Sequence, residues 1–570
     1  MLLWPNWARA ERAQKPHKQL STSLVRLDRH EKSRDSKRSR AIRYGTLARL
    51  TSDAIMEPSW PEDFLQNKRT AWIVAALIII LFLVTNLPWQ LDDYDQAKQA
   101  FTSFEMVKEG HWFYQHTPHE RVATKPPLVG WITAGFFSLT RSWEIAWRLP
   151  SFLAAVAMSI LLFRAASSAY GSIAGLIALS AFGLNLLSPR LATLVRTDMP
   201  LAFVIFLLGL LIWKKVRTRE AWNSHDRLID SPSGSSTLSG FPAHVARHPP
   251  APLSIFALLT AAMLIKGPIV YAFLLPGIAA FQLWRRKRGV ASVWCGWWPW
   301  LASLGIFLAW VIGGIFCEPD FFNQVVLREF AGRFGAEIHR SQPFYFYFPH
   351  LLHKFFPWSV LMIAIAIVDL RSRKSKLRSV FGEMSPETFW LLGWSLGGLI
   401  VMSIIPSKRV DRIFPVIPPL CLLLAAQIGK MSSREQLRER IYGWSAAALL
   451  LSILFTSGYT ISKVVSGYRN HRAALVIFGR EVRHEAKAHH WRYETIRASD
   501  EGMLLYLERT HFIEPEDAIR EWNRGALNAL VAPMDEAPRL MRELSNASLS
   551  PIRSVERKNE QDIGYVLLTR

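Results

Sequence analysis

The stretch Ala71-Trp-Ile-Val-Ala-Ala-Leu-Ile-Ile-Ile-Leu-Phe-Leu-Val84 carries no charged residue, and runs like it recur through most of the chain. Hydrocarbon offers the backbone no hydrogen bonds, so such runs must form helices that satisfy their own N–H and C=O groups. With a template of about 17–25 apolar residues per crossing, about eleven spans are predicted. They begin near Ala71, Arg148, Ile173, Met199, Pro252, Pro268, Trp297, His350, Trp390, Ile413 and Ile441. The fold class is therefore an α-helical polytopic membrane protein.

Composition narrows the class further. Half of the residues are hydrophobic and 23 are Trp, yet the net charge is +23. A nucleic-acid-binding protein could carry that charge, but these apolar runs leave no room for a single soluble core. Lys/Arg-rich loops that orient spans reconcile the two properties. Basic clusters stand at Lys214-Lys215-Val216-Arg217, Arg285-Arg286-Lys287-Arg288, residues 371–378 and residues 434–440. If all four face the cytoplasm, five segments face outward: 89–127, 188–198, 266–268, 318–349 and 406–412. The short apolar segment 128–139 would invert every later loop if it crossed, so a juxtamembrane or re-entrant helix is expected there.

Three domains are expected. Residues 1–70 form a basic cytoplasmic tail, since the first 55 carry 13 Lys/Arg against five Asp/Glu and no long apolar stretch. No cleavable signal peptide is recognisable there, and a translation start at Met56 is an alternative. Residues 71–465 form the membrane domain, with a Ser/Gly/Pro-rich loop over 223–252. Residues 466–570 alternate strand-like runs (493–497, 527–532, 564–569) with amphipathic helical ones (501–509, 514–522, 537–544), which predicts a small outer-side α/β domain. Cys295, Cys317 and Cys421 are scattered and read as inert thiols.

The polar residues of the outer segments carry the chemistry. Asp92, Asp93 and Asp95 follow the first span, either capping a helix or serving as a base or acceptor-orienting carboxylate. An amphipathic helix over 96–110 comes next, then His111-Trp112 and Lys125-Pro126-Pro127-Leu128. Asp198 stands at a span entrance, where an acid marks function or simply pairs with nearby Arg196. Lys125, Lys266, Arg340, Lys408 and Arg412 are outer cations, suited to a leaving phosphate or to snorkelling at the interface. The aromatic run Phe344-Tyr345-Phe346-Tyr347-Phe348, beside His339, His350 and His353, fits an interfacial belt or a sugar-binding wall. These histidines lack metal-ligand spacing, so a divalent metal is not expected.

An acid after the first span, an interfacial helix ending in Gly110-His111-Trp112, and Lys125-Pro126-Pro127-Leu128 together resemble the dolichyl-phosphate-mannose–protein mannosyltransferase-like family. That family has the GT-C membrane fold and includes the bacterial lipid A aminoarabinose transferases. Arg148-Leu149-Pro150-Ser151, Arg196-Thr197-Asp198-Met199-Pro200, Lys266-Gly267-Pro268, His339-Arg340 with Pro343 and Tyr345, and Ser407-Lys408 with Pro415 and Pro418 follow in order, over about residues 71–430. The resemblance implies an inner-membrane glycosyltransferase with its site facing the periplasm. It would move a sugar from a polyprenyl-phosphate donor to a lipid, glycan or protein acceptor. Asp95 and Asp198 would be catalytic, with Asp93 or Asp92 assisting. Lys125, Lys266, His339, Arg340, Tyr345, Lys408 and Arg412 would bind substrate. Two positions depart from the family: Gln96 replaces the second carboxylate of the usual Asp-Glu pair, and Thr124 stands where Glu often precedes Lys-Pro-Pro. A lipid-linked sugar flippase is the rival reading, since it needs the cations without Asp95. A repeat-built transporter or a scaffold is a weaker rival, because no internal repeat is visible.

Overall fold

A computed structural model describes residues 60–91, 94–229, 252–286, 292, 294, 296–333, 341–372, 384–497, 501–552 and 564–570. Every one of the eleven apolar segments is helical. Among the described residues, six helices are long and apolar enough to cross a membrane: Trp143–Tyr170, Asp198–Arg217, Trp298–Cys317, Pro386–Ile404, Val410–Ser432 and Glu435–Arg469. Counting each of two bent pairs as one span, Trp60–Gln66 with Lys68–Val84 at 61° and Phe344–Lys354 with Trp358–Ser372 at 99°, gives up to eight. Ser172–Gly183 and Pro252–Lys266 are shorter, spanning roughly 18 and 23 Å at 1.5 Å per residue against a hydrocarbon core of about 30 Å. Hydropathy alone does not separate these from full crossings. Ser172–Gly183 buries every residue after its first, so its apolar character serves protein packing.

Leu128–Thr140 is a 13-residue helix, about 20 Å long and too short to cross without distortion. It packs against the amphipathic helix Tyr94–Lys108. The outer helices leave large apolar side chains uncovered, among them Leu301, Phe316, Ile404 and Leu454. A lipid-facing surface explains that pattern. Small residues set a close helix contact between Ile269–Arg286 and Pro386–Ile404. A Cβ on Gly277 would meet the Gly393 carbonyl oxygen at 2.9 Å, and one on Gly397 would meet the Gly277 nitrogen at 2.9 Å. Such approach is the usual way helices pack in lipid.

Beyond Glu435–Arg469 the chain builds a four-stranded sheet in the order β1-β2-β4-β3. The strands are β1 Tyr493–Thr495, β2 Ala529–Pro533, β3 Ser548–Leu549 and β4 Tyr565–Thr569. β1 and β2 run parallel, which requires a crossover, and Glu501–Leu507 and Pro515–Asn523 supply it. The α/β pattern expected from the sequence is present, and β3 is an addition too short to show alternation. This region docks on Tyr94–Lys108. Phe101 and Phe104 share an apolar cluster with Leu475, Phe478, Met503 and Leu504, and the Tyr506 hydroxyl accepts the Leu91 N–H at 2.6 Å.

Candidate active site

Asp95 lies in the first turn of Tyr94–Lys108, where the helix N-terminus favours negative charge. Its Oδ2 is 2.5 Å from Arg409 Nη1 and 3.1 Å from Arg196 Nη2. Burial pushes the carboxyl upward, but Arg409 and then Arg196 outweigh it and hold Asp95 below the ordinary 3.8. Arg196 also donates from Nη1 to Asp411 Oδ2 at 2.8 Å, and only 9% of its side chain is exposed. Arg196 therefore pairs with Asp95 and Asp411, whereas Asp198 pairs with Lys266. Lys266 and Asp198 are each 10% exposed, and Arg196 and Arg409 lie near enough to act on Asp198 electrostatically. Lys125 pairs with Glu329 and adds to the positive field at Asp95.

All five segments expected on one face thus contribute charge to one end of the bundle. Asp95 and Lys125 come from the first, Arg196 and Asp198 from the second, Lys266 from the third, Glu329 from the fourth, and Arg409 and Asp411 from the fifth. Other expected residues are less central. Lys408 is buried and donates to the Gln342 carbonyl at 2.9 Å. Arg412 donates to the Ser407 carbonyl and hydroxyl at 2.7 and 3.1 Å, pinning the loop that carries Arg409. Tyr345 is 55% exposed and packs edge-on against Phe344. Asp92, Asp93, His339 and Arg340 lie outside the described residues, as does Cys295, while Cys317 and Cys421 are free thiols.

Arg409, Asp411 and Glu329 join the site without being expected from the sequence. The run Ser407-Lys-Arg-Val-Asp-Arg412 held a usable signal, because four charges at the mouth of an apolar span are costly unless they serve a site. Glu329 lies on a π-helical segment, Phe322–Phe330, a rare conformation that often marks functional positions; nothing in the local pattern foretells it. Among the described residues, the histidines that come together are His111 and His116. Glu105 Oε1 is 2.7 Å from His111 Nδ1 and 3.0 Å from His116 Nδ1, and His116 Nε2 is 3.1 Å from Glu318. Ligand atoms of Glu105, His111 and His116 lie within 4.8 Å of one another and could hold a metal ion. The same groups satisfy one another as hydrogen-bonded pairs.

Residues 124–225 match the family model described as dolichyl-phosphate-mannose-protein mannosyltransferase. The chain is 26% identical over 364 residues to an undecaprenyl phosphate-alpha-4-amino-4-deoxy-L-arabinose arabinosyl transferase of Shewanella sediminis, covering 63% of this chain and 59% of that one. A protein of the same name from Edwardsiella ictaluri is 25% identical over 385 residues, covering 66% and 63%. The chain thus spans about three fifths of the length of these relatives. Its fold is similar to that of ArnT from Cupriavidus metallidurans bound to undecaprenyl phosphate, with a TM-score of 0.58, 18% identity, and coverage of 88% and 98%. The apo form of that protein aligns with a TM-score of 0.54. The chain is accordingly a multi-pass membrane protein with the GT-C fold, similar over part of its length to a mannosyltransferase family model and to bacterial aminoarabinose transferases.

Proposed function

We propose that this protein is an inner-membrane glycosyltransferase that moves a sugar from a polyprenyl-phosphate donor to a lipid or glycan acceptor, with its site facing the periplasm. Fold alone does not fix activity. The observation that carries the reading is the convergence of Asp95 and Asp198 with Arg196, Arg409, Lys266 and Lys125 at one end of the bundle. In the reaction, an acceptor oxygen lone pair attacks the anomeric carbon while the C–O bond to phosphate breaks. The bonding pair leaves on the phosphate oxygen. Fixed guanidinium and ammonium groups stabilise that charge without reorganising.

Asp95, held ionised by two arginines, is a weak base at neutral pH. Its stronger role is to orient the acceptor and to oppose the positive charge that builds on the sugar as the bond breaks. An acceptor hydroxyl would give its proton to this carboxylate or to water; an already ionised acceptor would need no base. Lys125 is the candidate for the donor phosphate, since its motif matches the family and it lies in the field of Asp95. Asp198, paired with Lys266, would hold the opposite wall. The relatives' names specify an aminoarabinose donor, and this chain's departures at Gln96 and Thr124 make the sugar a question for assay.

The test uses the full chain in liposomes with radiolabelled undecaprenyl-phosphate aminoarabinose and a glycolipid acceptor. Asp95→Asn and Asp198→Asn should each lower transfer by roughly 10²–10⁴-fold, the usual span for a charged group acting in a transition state. Undiminished transfer in both variants would remove these residues from the mechanism. Label crossing the bilayer with no new glycosidic bond would replace the transferase with a flippase.

A further inference from the structure

Beside the Asp95 network lies a cavity of about 420 Å³ lined by residues 86–90, by Arg190, and by the far end of Glu435–Arg469. Four cations share it: Arg148, Arg190, Lys463 and Arg472. Among the described residues a single carboxylate, Asp411, comes within ion-pair distance of any of the four, at 4.0 Å from Arg190. That carboxylate is already engaged by Arg196 at 2.8 Å. Neutral groups hold two of the others. Lys463 donates to Asn86 Oδ1 at 2.7 Å, and Arg148, 5% exposed, donates to the Glu144 and Trp89 carbonyls at 2.7 Å each. Like charges gathered around one partly enclosed volume repel strongly unless an anion joins them.

We propose that this cavity is a second anion site, taking a phosphate-type group carried on a sugar or lipid headgroup and distinct from the site of the donor phosphate. Its volume falls in the range of small-ligand pockets, larger than a bare phosphate needs, and Trp89 and Tyr459 in the wall offer apolar faces to the carrier. Guanidinium forks suit phosphate oxygens. Gln96 explains itself here. Its Oε1 accepts the Val195 N–H at 3.2 Å, which leaves its NH₂ as a donor in the cavity wall. A carboxylate at this position would set a negative charge against the anion. The site also touches the reaction centre, because Arg190 shares Asp411 with Arg196, the partner of Asp95.

Binding is measured directly, so absence of transferase activity would leave this inference standing. The full chain in nanodiscs, saturated with undecaprenyl phosphate, is titrated with inorganic phosphate against chloride at matched ionic strength. One phosphate site should remain. Lys463→Gln, Arg472→Gln and Gln96→Glu should each weaken it at least tenfold, while undecaprenyl phosphate affinity stays unchanged. Glucose 1-phosphate or dodecyl phosphate should displace the bound phosphate, and whichever does so more tightly identifies a sugar-borne or a lipid-borne group. The thermal midpoint without phosphate verifies that each variant is folded, and the near-isosteric Gln96→Glu keeps the test open if a cation variant is not. Phosphate binding no tighter than chloride, binding unchanged in all three variants, or a parallel loss of undecaprenyl phosphate affinity would each overturn the second site.

Discussion

Arg409 touches Asp95 at 2.5 Å, yet in the sequence it is one of three basic residues in a five-residue stretch. Motif position favours Lys408, which the fold spends on a backbone carbonyl. Only tertiary contact distinguishes them. Removing Arg409 takes away the strongest charge opposing burial at Asp95, so the Asp95 pKa must rise. Arg409→Gln should therefore lower transfer and also move the acid limb of the pH–rate profile to higher pH. Arg409→Lys should recover part of both. A loss of rate with an unmoved acid limb would show that Arg409 serves packing or substrate contact without tuning Asp95. Asp95 and Asp198 were legible because acids at span entrances are rare. Their partners were not, because Arg196 reads as the neighbour of Asp198 yet bonds to Asp95 and Asp411, 101 and 215 positions away.

The helix Tyr94–Lys108 is fixed at its far end by Glu105, which is buried and accepts the His116 backbone N–H at 2.7 Å as well as the imidazole contacts. The hydrogen bond to Glu105 raises His116, burial opposes it, and Glu318 adds to the rise, placing the imidazole at about 9. A histidine whose folded pKa lies above its unfolded value of 6.5 stabilises the fold fully below that pH and loses the contribution as pH climbs through about 9. The thermal midpoint of the wild type, with chelator present, should fall between pH 6.5 and 9.5 more steeply than that of His116→Gln. Parallel curves would remove the ion pair from the stability of this helix. The glycine contact is a second element-scale device. Gly397→Leu has no room beside Gly277, and overpacking of this kind costs about 1–3 kcal/mol, which should appear as a lower thermal midpoint and lost monodispersity in detergent. Helix positions were readable from apolar runs, but this pairing was not, since a glycine pattern does not name its partner helix.

Across the whole molecule, the distribution of Lys and Arg foretold which loops would meet, and the charged network confirms their meeting without fixing which side of the membrane they face. What it could not foretell is how the C-terminal α/β region bears on the site. That region packs on Tyr94–Lys108 and reaches the chain just ahead of Asp95, where the Tyr506 hydroxyl accepts the buried Leu91 N–H at 2.6 Å. Close packing reinforces the clasp, since a Cβ on Gly502 would stand 2.5 Å from the Leu91 carbonyl oxygen. Tyr506→Phe leaves the ring and deletes the acceptor, so one buried amide loses its partner, typically at about 1–3 kcal/mol. The spans do not depend on that bond, whereas the placement of Asp95 does. The variant should keep the wild-type helical signal and detergent behaviour, gain protease sensitivity near Leu91, and lose transfer mainly through kcat, because a carboxylate displaced by even an ångström serves the transition state poorly. Unchanged proteolysis together with unchanged kcat would show that the C-terminal region sits on the bundle without positioning its chemistry.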